Sequence, residues 1–261
     1  MTRAFPPPRA PGSRDLLGGL SRGLRVIEAF AGRPRASIAE LARDTGLSRA
    51  ATRRCLLTLA ELGYAETDGR HFCLTPRVLR LGGAWLASAT LPDLLMPQLE
   101  AVREATGESC SAAILDGAEV VYIARAAAQR IMPVSLGVGS RLPAHCTALG
   151  RALLSALPEG VMEHLLAGLT PAALTEHTRT SREEIRAAVA AARRQGFAMV
   201  EEELQLGLRS LAVPVRDQRG RCVAAINIGQ RTSRGEAGAV CQRLLPPLLA
   251  AAAELRRTIP G

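Results

Sequence analysis

Residues 37–64 have the sequence SIAELARDTGLSRAATRRCLLTLAELGY. Ser37, followed three residues later by Glu40, is a capping box, which predicts that a short helix begins here. Gly46 lies where that helix must end and turn, and Ser48 is placed to cap a second helix. The stretch is therefore typical of a helix, a turn and a second helix.

The second helix has one inward face and one basic face. Its inward face follows helical spacing and comprises Thr52, Cys55, Leu56 and Leu59. A capped helix that presents arginines from its first two turns has the geometry that binds a DNA major groove, whereas the alternative is an ordinary solvated basic face. The residues that we expect to contact DNA are Ser37, Ser48, Arg49, Ala50, Arg53 and Arg54.

A hairpin follows this helix at once. Residues 63–74 contain two short alternating runs joined at Asp68 and Gly69, which is a strong hairpin signal. A recognition helix followed by a hairpin is a winged helix-turn-helix. Arg70 and His71 would then lie at the wing tip, within reach of phosphate or the minor groove, although charged hairpin tips are common in proteins that bind no DNA.

The positive charge of the chain is concentrated in the same region. The net charge is +9, and residues 1–90 contain 14 arginines and 7 acidic residues, which leaves +7 in that part. Every basic residue is arginine, which fits a GC-rich coding bias as well as bidentate contacts to phosphate and guanine. The charge distribution agrees with DNA binding.

The pattern along the chain predicts two domains. We expect a disordered arm over residues 1–15, a DNA-binding domain over 16–75, a linker helix over 76–90 that contains Trp85, and an effector-binding domain over 91–261. Residues 91–261 contain both helical and strand-like spacing of apolar residues, and this pattern predicts an α+β fold with helices at the ends of an antiparallel sheet. Its predicted strands are 109–115, 119–124, 131–136, 198–203, 209–216 and 221–229, and its predicted helices are 94–106, 144–156, 181–194 and 236–257.

Several classes of protein are disfavoured. No stretch reaches the roughly 20 apolar residues that a membrane span needs, and no signal peptide is recognisable, so we expect a cytoplasmic protein without membrane contact. The six cysteines show no CxxC spacing, which argues against bound metal, and no cofactor is expected. His145 and Cys146 are adjacent, but neighbouring helical side chains point about 100° apart, so we expect no enzyme. A redox sensor that uses Cys110 or Cys146 remains open.

Residues 142–154, LPAHCTALGRALL, suggest a binding site. A helix entered through small side chains exposes free backbone N–H groups at its positive end, and an anion can approach them closely. A carboxylate fits there. The alternative is that the small residues merely allow close packing of the helix on the sheet.

These residues resemble a known family. Residues 142–154 and residues 202–215, EELQLGLRSLAVPV, are similar to the two most recognisable effector-domain motifs of the IclR family of bacterial transcription regulators, and residues 20–75 resemble its winged helix-turn-helix. Residues 124–132 and 139–144 resemble regulators of protocatechuate, 4-hydroxybenzoate and β-ketoadipate pathway genes. The resemblance implies a GAF-like effector-binding domain, dimerisation through the N-terminal domain, and often a tetramer of two dimers. One winged domain buries too little DNA surface for tight binding, so we also expect at least a dimer on a pseudo-palindromic site in double-stranded DNA.

The resemblance also implies an effector site. Matching positions in relatives that bind small carboxylic acids lie at the backbone of Ala148 and Leu149 and at the side chains of Ser210 and Asn227. Where some relatives carry an acidic effector-contacting residue, this chain has Val200, which fits an apolar wall for an aromatic ring better than a small oxo-acid site. The expected effector is an aromatic acid or a β-ketoadipate-type catabolite, and the alternative is a small oxo-acid. The expected effector-contacting residues are Cys146, Thr147, Ala148, Leu149, Val200, Glu203, Ser210 and Asn227. Arg141 and Arg209 are candidate carboxylate partners, with structural ion pairs as the alternative.

Overall fold

The structure is a computed structural model that describes residues 17–81, 90–128 and 136–261. Contacts divide the chain into two compact units, Met1–Ser88 and Ala89–Gly261. The predicted arm, Trp85, most of the predicted linker helix and nearly all of the predicted strand over 131–136 lie outside the described residues. At the start of the linker, a 3-10 turn over Pro76–Val78 leads into helical residues 79–81.

Three helices form the body of the N-terminal unit. They are α1 (Gly18–Glu28), α2 (Ile38–Thr45) and α3 (Arg49–Glu61). The capping box of Ser37 and Glu40 is formed at the start of α2, and Gly46 ends this helix in the left-handed conformation with φ 67°. The Ser48 side chain accepts a hydrogen bond from the Ala51 N–H and caps α3.

The wing packs onto these helices through a small apolar core. Strands β1 (Ala65–Thr67) and β2 (Phe72–Leu74) pair in antiparallel register, and Phe72 also bridges to Ala36 in front of α2. The core contains Val26, Phe30, Leu41, Leu56, Leu59 and Phe72. Burial of each large apolar side chain stabilises the unit by roughly 1.5–3 kcal/mol.

The C-terminal unit is built on a six-stranded antiparallel sheet. Its strands are β3 (Ser109–Asp116), β4 (Glu119–Ala126), β5 (Arg141–Pro143), β6 (Ala198–Glu201), β7 (Leu208–Arg216) and β8 (Cys222–Arg231). They lie in the order β5-β4-β3-β8-β7-β6. The two long hairpins, β3–β4 and β7–β8, therefore meet at the centre of the sheet through the β3–β8 pairing.

Helices cover both faces of this sheet. They are α4 (Thr90–Thr106), α5 (Ala148–Ser155), α6 (Glu159–Gly168), α7 (Arg182–Gln195) and α8 (Ala237–Thr258). One core lies between the sheet and α4 with α8, and it contains Leu99, Ile226, Ile228 and Leu248. The second lies between the opposite face and α5, α6 and α7, and it contains Ala212, Ala225 and Leu149. Alternate residues of each strand thus enter different cores.

The predicted fold class is confirmed: a winged helix-turn-helix precedes an α+β unit with an antiparallel sheet. Three details differ from the sequence-based prediction. Helix α5 begins at Ala148 rather than at residue 144, the helix α6 was not predicted, and the helices lie on the faces of the sheet rather than at its ends. Small residues over 144–147 fit a helix pattern, but they form the irregular entrance to α5.

Candidate functional site

The outer face of α3 is basic and solvent-exposed. Arg49, Ala50, Arg53 and Arg54 are exposed, while Thr52, Leu56 and Leu59 are buried. Within the described chain none of the three arginines forms an ion pair, so their guanidinium groups remain available to an external acceptor. Arg54 also lines a groove between α1 and α3 together with Arg22 and Ser48, whereas Arg49 and Arg53 do not.

The tip of the wing is ordered by Asp68. Its carboxylate accepts backbone N–H bonds from His71 and Arg70, and these bonds hold the pKa of Asp68 below its usual value. The Arg70 side chain is exposed beside them. The hydroxyl of Ser37 is hydrogen-bonded to the Glu40 carboxylate at 2.7 Å, so any DNA contact of Ser37 would compete with its capping role.

The C-terminal unit contains a cavity between the sheet and the entrance to α5. It is partly open to solvent. Its wall combines apolar and polar side chains: Ser109, Ser111, Tyr122, Arg125, Leu136, Cys146, Thr147, Ala148, Leu149, Val200, Leu204, Leu208, Ser210, Asn227 and Gly229. Seven of the eight predicted effector-contacting residues are among them, and Glu203 is not.

The start of α5 provides free hydrogen-bond donors to this cavity. Thr147 caps the helix by accepting the Gly150 N–H at 3.2 Å, and the Arg151 N–H is bonded to the Thr147 carbonyl. The N–H groups of Ala148 and Leu149 have no acceptor within the described chain. Such groups at the positive end of a helix form an anion-binding position.

The close approach of the Ala144 backbone to α5 requires glycine at position 150. A Cβ at this position would lie well inside contact distance of the Ala144 backbone. We therefore expect Gly150→Ala to destabilise the protein by about 1–3 kcal/mol. Urea unfolding followed by circular dichroism measures this loss. Gly160→Ala in α6 is the matched control, because nothing lies within 4 Å of its Cβ position, and this variant should be neutral or slightly more stable. Equal stability of the two variants would contradict this account of the packing.

Arg125 brings a positive charge into the cavity. Tyr122 and Arg125 are three residues apart in β4, so strict alternation would place them on opposite faces of the sheet. A β-bulge prevents this, because Ala113 pairs with Tyr122 while Ala112 pairs with Ala124, which leaves Ile123 as an extra residue. The half-buried guanidinium donates to Ser111 Oγ at 3.0 Å, and it has no carboxylate partner among the described residues.

Two polar side chains of the sheet, Ser210 and Asn227, line the cavity and are hydrogen-bonded to each other. Asn227 Nδ2 donates to Ser210 Oγ at 2.8 Å, and the Ser210 hydroxyl donates to the Ile228 carbonyl at 3.3 Å. Asn227 is 8% exposed, yet its Oδ1 atom has no hydrogen-bond partner. Tyr122 lies on the same face, and burial raises the pKa of its hydroxyl to about 12.

Glu203 has a different place in the structure. Its carboxylate forms a bidentate ion pair with Arg151 of α5, with oxygen–nitrogen distances of 2.7 and 2.5 Å, and both side chains are almost completely buried. Arg151 Nε also donates to the His145 carbonyl, and Glu203 accepts the Arg179 N–H. The pair ties α5 to the connection between β6 and β7, so we leave Glu203 out of the proposed effector-contacting set.

The two other arginines considered from sequence form structural ion pairs. Arg141 contacts Asp116 and Glu119 at 2.7 Å on the exposed hairpin of β3 and β4. Arg209 contacts Glu201 and the Gly235 carbonyl. Neither lines the cavity. Arg125 was not among the effector-contacting residues predicted from the sequence. The only indication of its role was its place in residues 124–132, which resemble regulators of aromatic-acid pathway genes.

The neighbouring histidine and cysteine do not form a dyad. His145 Nε2 lies 3.2 Å from the Ala172 carbonyl, whereas the Cys146 thiol faces the Pro143 carbonyl. Burial raises the pKa of Cys146 to about 11 and that of Cys110 to about 12. Both thiols therefore stay protonated near neutral pH, which disfavours a thiolate redox sensor.

Within the described ranges, no group of three or more histidine, cysteine or acidic side chains is placed to hold a metal ion. No helix of that part of the chain is long and apolar enough to cross a membrane.

Comparison with known proteins covers both units. Residues 84–257 match the family described as bacterial transcriptional regulator IclR C-terminal, and residues 19–69 match the IclR helix-turn-helix domain. The chain is 42% identical over 252 residues to the Pca regulon regulatory protein of Pseudomonas putida, covering 96% of this chain and 87% of that protein.

Solved structures agree with this match. A transcriptional regulator from Rhodococcus sp. RHA1 shares 42% identity and a TM-score of 0.77, covering 93% of this chain and 98% of that one. The inducer-binding domain of a double mutant of the PobR transcription factor from Acinetobacter, in complex with 3-hydroxybenzoic acid, shares 32% identity and a TM-score of 0.60. That domain matches 64% of this chain over 98% of its own length.

Proposed function

The chain belongs to the IclR family of bacterial transcriptional regulators, and from this premise we propose that its C-terminal unit binds an aromatic carboxylic acid that controls the engagement of DNA by its winged helix-turn-helix. Because bacterial DNA lies in the cytoplasm, the proposal puts the protein there. A regulator of this kind performs no chemistry on its effector.

One observation carries the effector proposal: an unpaired arginine faces a cavity whose described lining contains no acidic residue. Arg125 lacks a carboxylate partner, and the N–H groups of Ala148 and Leu149 lack acceptors. A charge that is partly removed from water is costly unless it is compensated. A carboxylate of the ligand supplies that compensation, with its oxygens at the start of α5 and the guanidinium nearby.

The remaining wall favours a ring over a small oxo-acid. Leu136, Val200, Leu204 and Leu208 form an apolar surface, against which an aromatic ring buries more apolar area than a three-carbon acid does. One relative supports an aromatic ligand, because the inducer-binding domain of the PobR double mutant forms a complex with 3-hydroxybenzoic acid.

Calorimetry tests the effector class directly. The candidate ligands are 4-hydroxybenzoate, protocatechuate and β-ketoadipate, compared with pyruvate and glyoxylate. We expect 4-hydroxybenzoate or protocatechuate to bind, and to change operator affinity, because a ligand shifts the arrangement of the DNA-binding domains only if it binds one arrangement more tightly. Binding of β-ketoadipate or of the two small oxo-acids, without binding of either aromatic acid, would overturn the proposal.

The DNA-binding role rests on α3 and the wing. We propose that Arg49 and Arg53 contact base edges, and that Arg54, beside Arg22 in the groove between α1 and α3, contacts phosphate. Ser48, Ala50 and Arg70 are exposed and belong to the proposed contact set, and Ser37 caps the adjoining helix.

A homodimer is part of the proposal. A single winged domain buries little DNA surface, so tight binding to a pseudo-palindromic operator needs two copies. Helix α1 and the residue before it carry an exposed apolar stripe at helical spacing, with Leu17, Leu20 and Leu24 exposed by 75%, 62% and 47%. A second copy would cover this stripe.

Sedimentation at micromolar concentration tests this dimer. We expect the native chain to sediment as a dimer or a tetramer, and Leu20→Glu/Leu24→Glu to dissociate it toward monomers, because charge on an apolar interface is costly. Leu174→Glu is the matched control, since Leu174 is 47% exposed in the C-terminal unit. A native chain that sediments as a monomer, with and without DNA, would refute the dimer.

A further inference from the structure

A buried ion pair lies behind the wall of the cavity. The side chains of Arg151 and Glu203 are 2% and 5% exposed, and neither residue lines the cavity. Arg151 lies within one turn of Ala148 and Leu149, whose N–H groups have no acceptor within the described chain. Glu203 directly precedes Leu204, which forms part of the apolar wall. The pair therefore connects the start of α5 to the apolar wall of the cavity.

The guanidinium of Arg151 constrains the entrance to α5. Its Nε atom donates to the His145 carbonyl at 2.9 Å, and its two terminal nitrogens donate to the Glu203 carboxylate at 2.7 and 2.5 Å. A guanidinium holds its donors in one rigid plane. These three bonds therefore fix the helix, the irregular residues before it and the connection between β6 and β7 relative to one another.

The connection between β6 and β7 is also held by the residues before α7. The Thr175 hydroxyl donates to the Glu202 carbonyl at 2.6 Å. The Thr178 hydroxyl donates to the Glu203 carbonyl at 2.6 Å, and the Glu203 carboxylate accepts the Arg179 N–H at 3.1 Å. Glu202 has φ 57° and is the only non-glycine residue in the described ranges with a positive φ. Such a conformation persists only where the surrounding contacts impose it, so this connection has an imposed position.

The contribution of a buried ion pair to stability is small compared with its geometric constraint. The cost of removing two charges from water nearly cancels their attraction, so an apolar pair of similar volume often gives equal stability. The bidentate bond, in contrast, tolerates little change in distance or angle. A pair of this kind behind a binding cavity acts on the shape of the wall more than on the stability of the fold.

We propose that Arg151 and Glu203 are positioning residues of the effector site. Their ion pair aims the N–H groups of Ala148 and Leu149 at the carboxylate of the effector, and it does so without contacting the effector. This inference rests on the proposed function, because it requires a carboxylate ligand at the start of α5.

Removing both charges at once tests this role. In Arg151→Met/Glu203→Leu no buried charge is left unpaired, so the melting temperature should stay close to the native value. Calorimetry should show that 4-hydroxybenzoate binds about 10- to 100-fold more weakly than to the native chain, because the N–H groups no longer point at its carboxylate. The neutral 4-hydroxybenzamide should lose only about threefold, since hydrogen bonds to an uncharged group are weaker. Equal losses for the two ligands, or no loss, would overturn the positioning role.

Arg151→Lys keeps the test available if the double variant fails to fold. Lysine retains a positive charge opposite Glu203, but it lacks the planar group that also bonds the His145 carbonyl. This variant should retain the fold and lose about threefold or more of the native preference for the acid over the amide. An unchanged preference in Arg151→Lys would contradict the proposal.

A second ion pair provides the matched control. Arg186 of α7 and Glu163 of α6 form two bonds of 2.7 Å, and neither residue lines the cavity. Arg186→Met/Glu163→Leu should therefore bind both ligands with the affinities of the native chain. A loss of acid binding in this control equal to that in Arg151→Met/Glu203→Leu would show that the position of the pair behind the cavity is irrelevant, and the inference would fail.

Hydrogen exchange separates a failure of this inference from a failure of the proposed function. The Gly150 N–H is bonded to Thr147 Oγ1 at 3.2 Å in the first turn of α5. In ligand-free Arg151→Met/Glu203→Leu this N–H should exchange about threefold faster or more than in the native chain, because the entrance is no longer fixed. If aromatic acids bind the native chain and neither this exchange nor the acid preference changes in the variant, the inference alone is wrong. If no aromatic acid binds the native chain, the proposed function is wrong, and the effector role of the pair is wrong with it.

Discussion

Replacing Arg49 and Arg53 together with alanine should abolish sequence-specific binding to the promoter that this protein controls. Both side chains are exposed on the first two turns of α3 and have no ion-pair partner in the described part of the chain. Each arginine that contacts a base edge contributes roughly 1–3 kcal/mol of discrimination. Loss of both should therefore lower promoter affinity by roughly 30- to 20,000-fold. Fluorescence anisotropy with the promoter and with a scrambled duplex measures the lost preference.

Arg54→Ala should behave differently, because its proposed contact is to phosphate. Binding should weaken by a similar factor on both duplexes, and the slope of affinity against salt should fall by about one. Arg256→Ala removes the same charge from an exposed position in α8 and is the matched control. Unchanged promoter affinity in Arg49→Ala/Arg53→Ala would show that α3 is not the base-reading helix.

The N-terminal unit could be predicted because its signals are local. The cap formed by Ser37 and Glu40, the left-handed turn at Gly46 and the cap at Ser48 each involve residues within three positions of one another. Their hydrogen bonds form whatever the distant chain does. The exposed and buried sides of α3 then follow from helical periodicity alone.

The cavity could be predicted only in part. The resemblance located Ala148, Leu149, Ser210 and Asn227, but no local pattern indicates that β4 contains a bulge at Ile123. Without the bulge, alternation turns Arg125 away from Tyr122, so the arginine that lines the cavity was not predicted. Bulges depend on how two strands pair, and a single strand does not encode that pairing.

Glu203 was predicted to contact the effector, but it does not line the cavity. It belongs to a motif that contributes to the cavity wall, but its partner is Arg151, which lies 52 residues earlier in the chain. A buried carboxylate needs a compensating charge, and the sequence does not reveal which of several arginines supplies it. The structure identifies the partner and thereby removes Glu203 from the ligand-facing set.

Replacing Arg125 with methionine should reduce the affinity for the carboxylate effector by about 10- to 100-fold. A hydrogen bond to a charged group contributes about 1.5–3 kcal/mol, and methionine retains an unbranched side chain without charge. The fold should not suffer, because Arg125 has only Ser111 as a described partner and no carboxylate to leave unpaired. The melting temperature of the free protein should stay equal or rise, since an uncompensated half-buried charge is costly.

Pairing this variant with a neutral ligand isolates the charge interaction. The native protein should bind 4-hydroxybenzoate much more tightly than 4-hydroxybenzamide, whereas Arg125→Met should bind the two with similar affinity. Arg125→Lys keeps the charge but loses the planar pair of N–H donors of the guanidinium. It should therefore retain part of the preference for the carboxylate over the amide. Because a general loss of packing would weaken both ligands equally, only a direct role of the guanidinium removes the difference between them. An undiminished preference for the carboxylate in Arg125→Met would mean that the start of α5 binds the acid group alone.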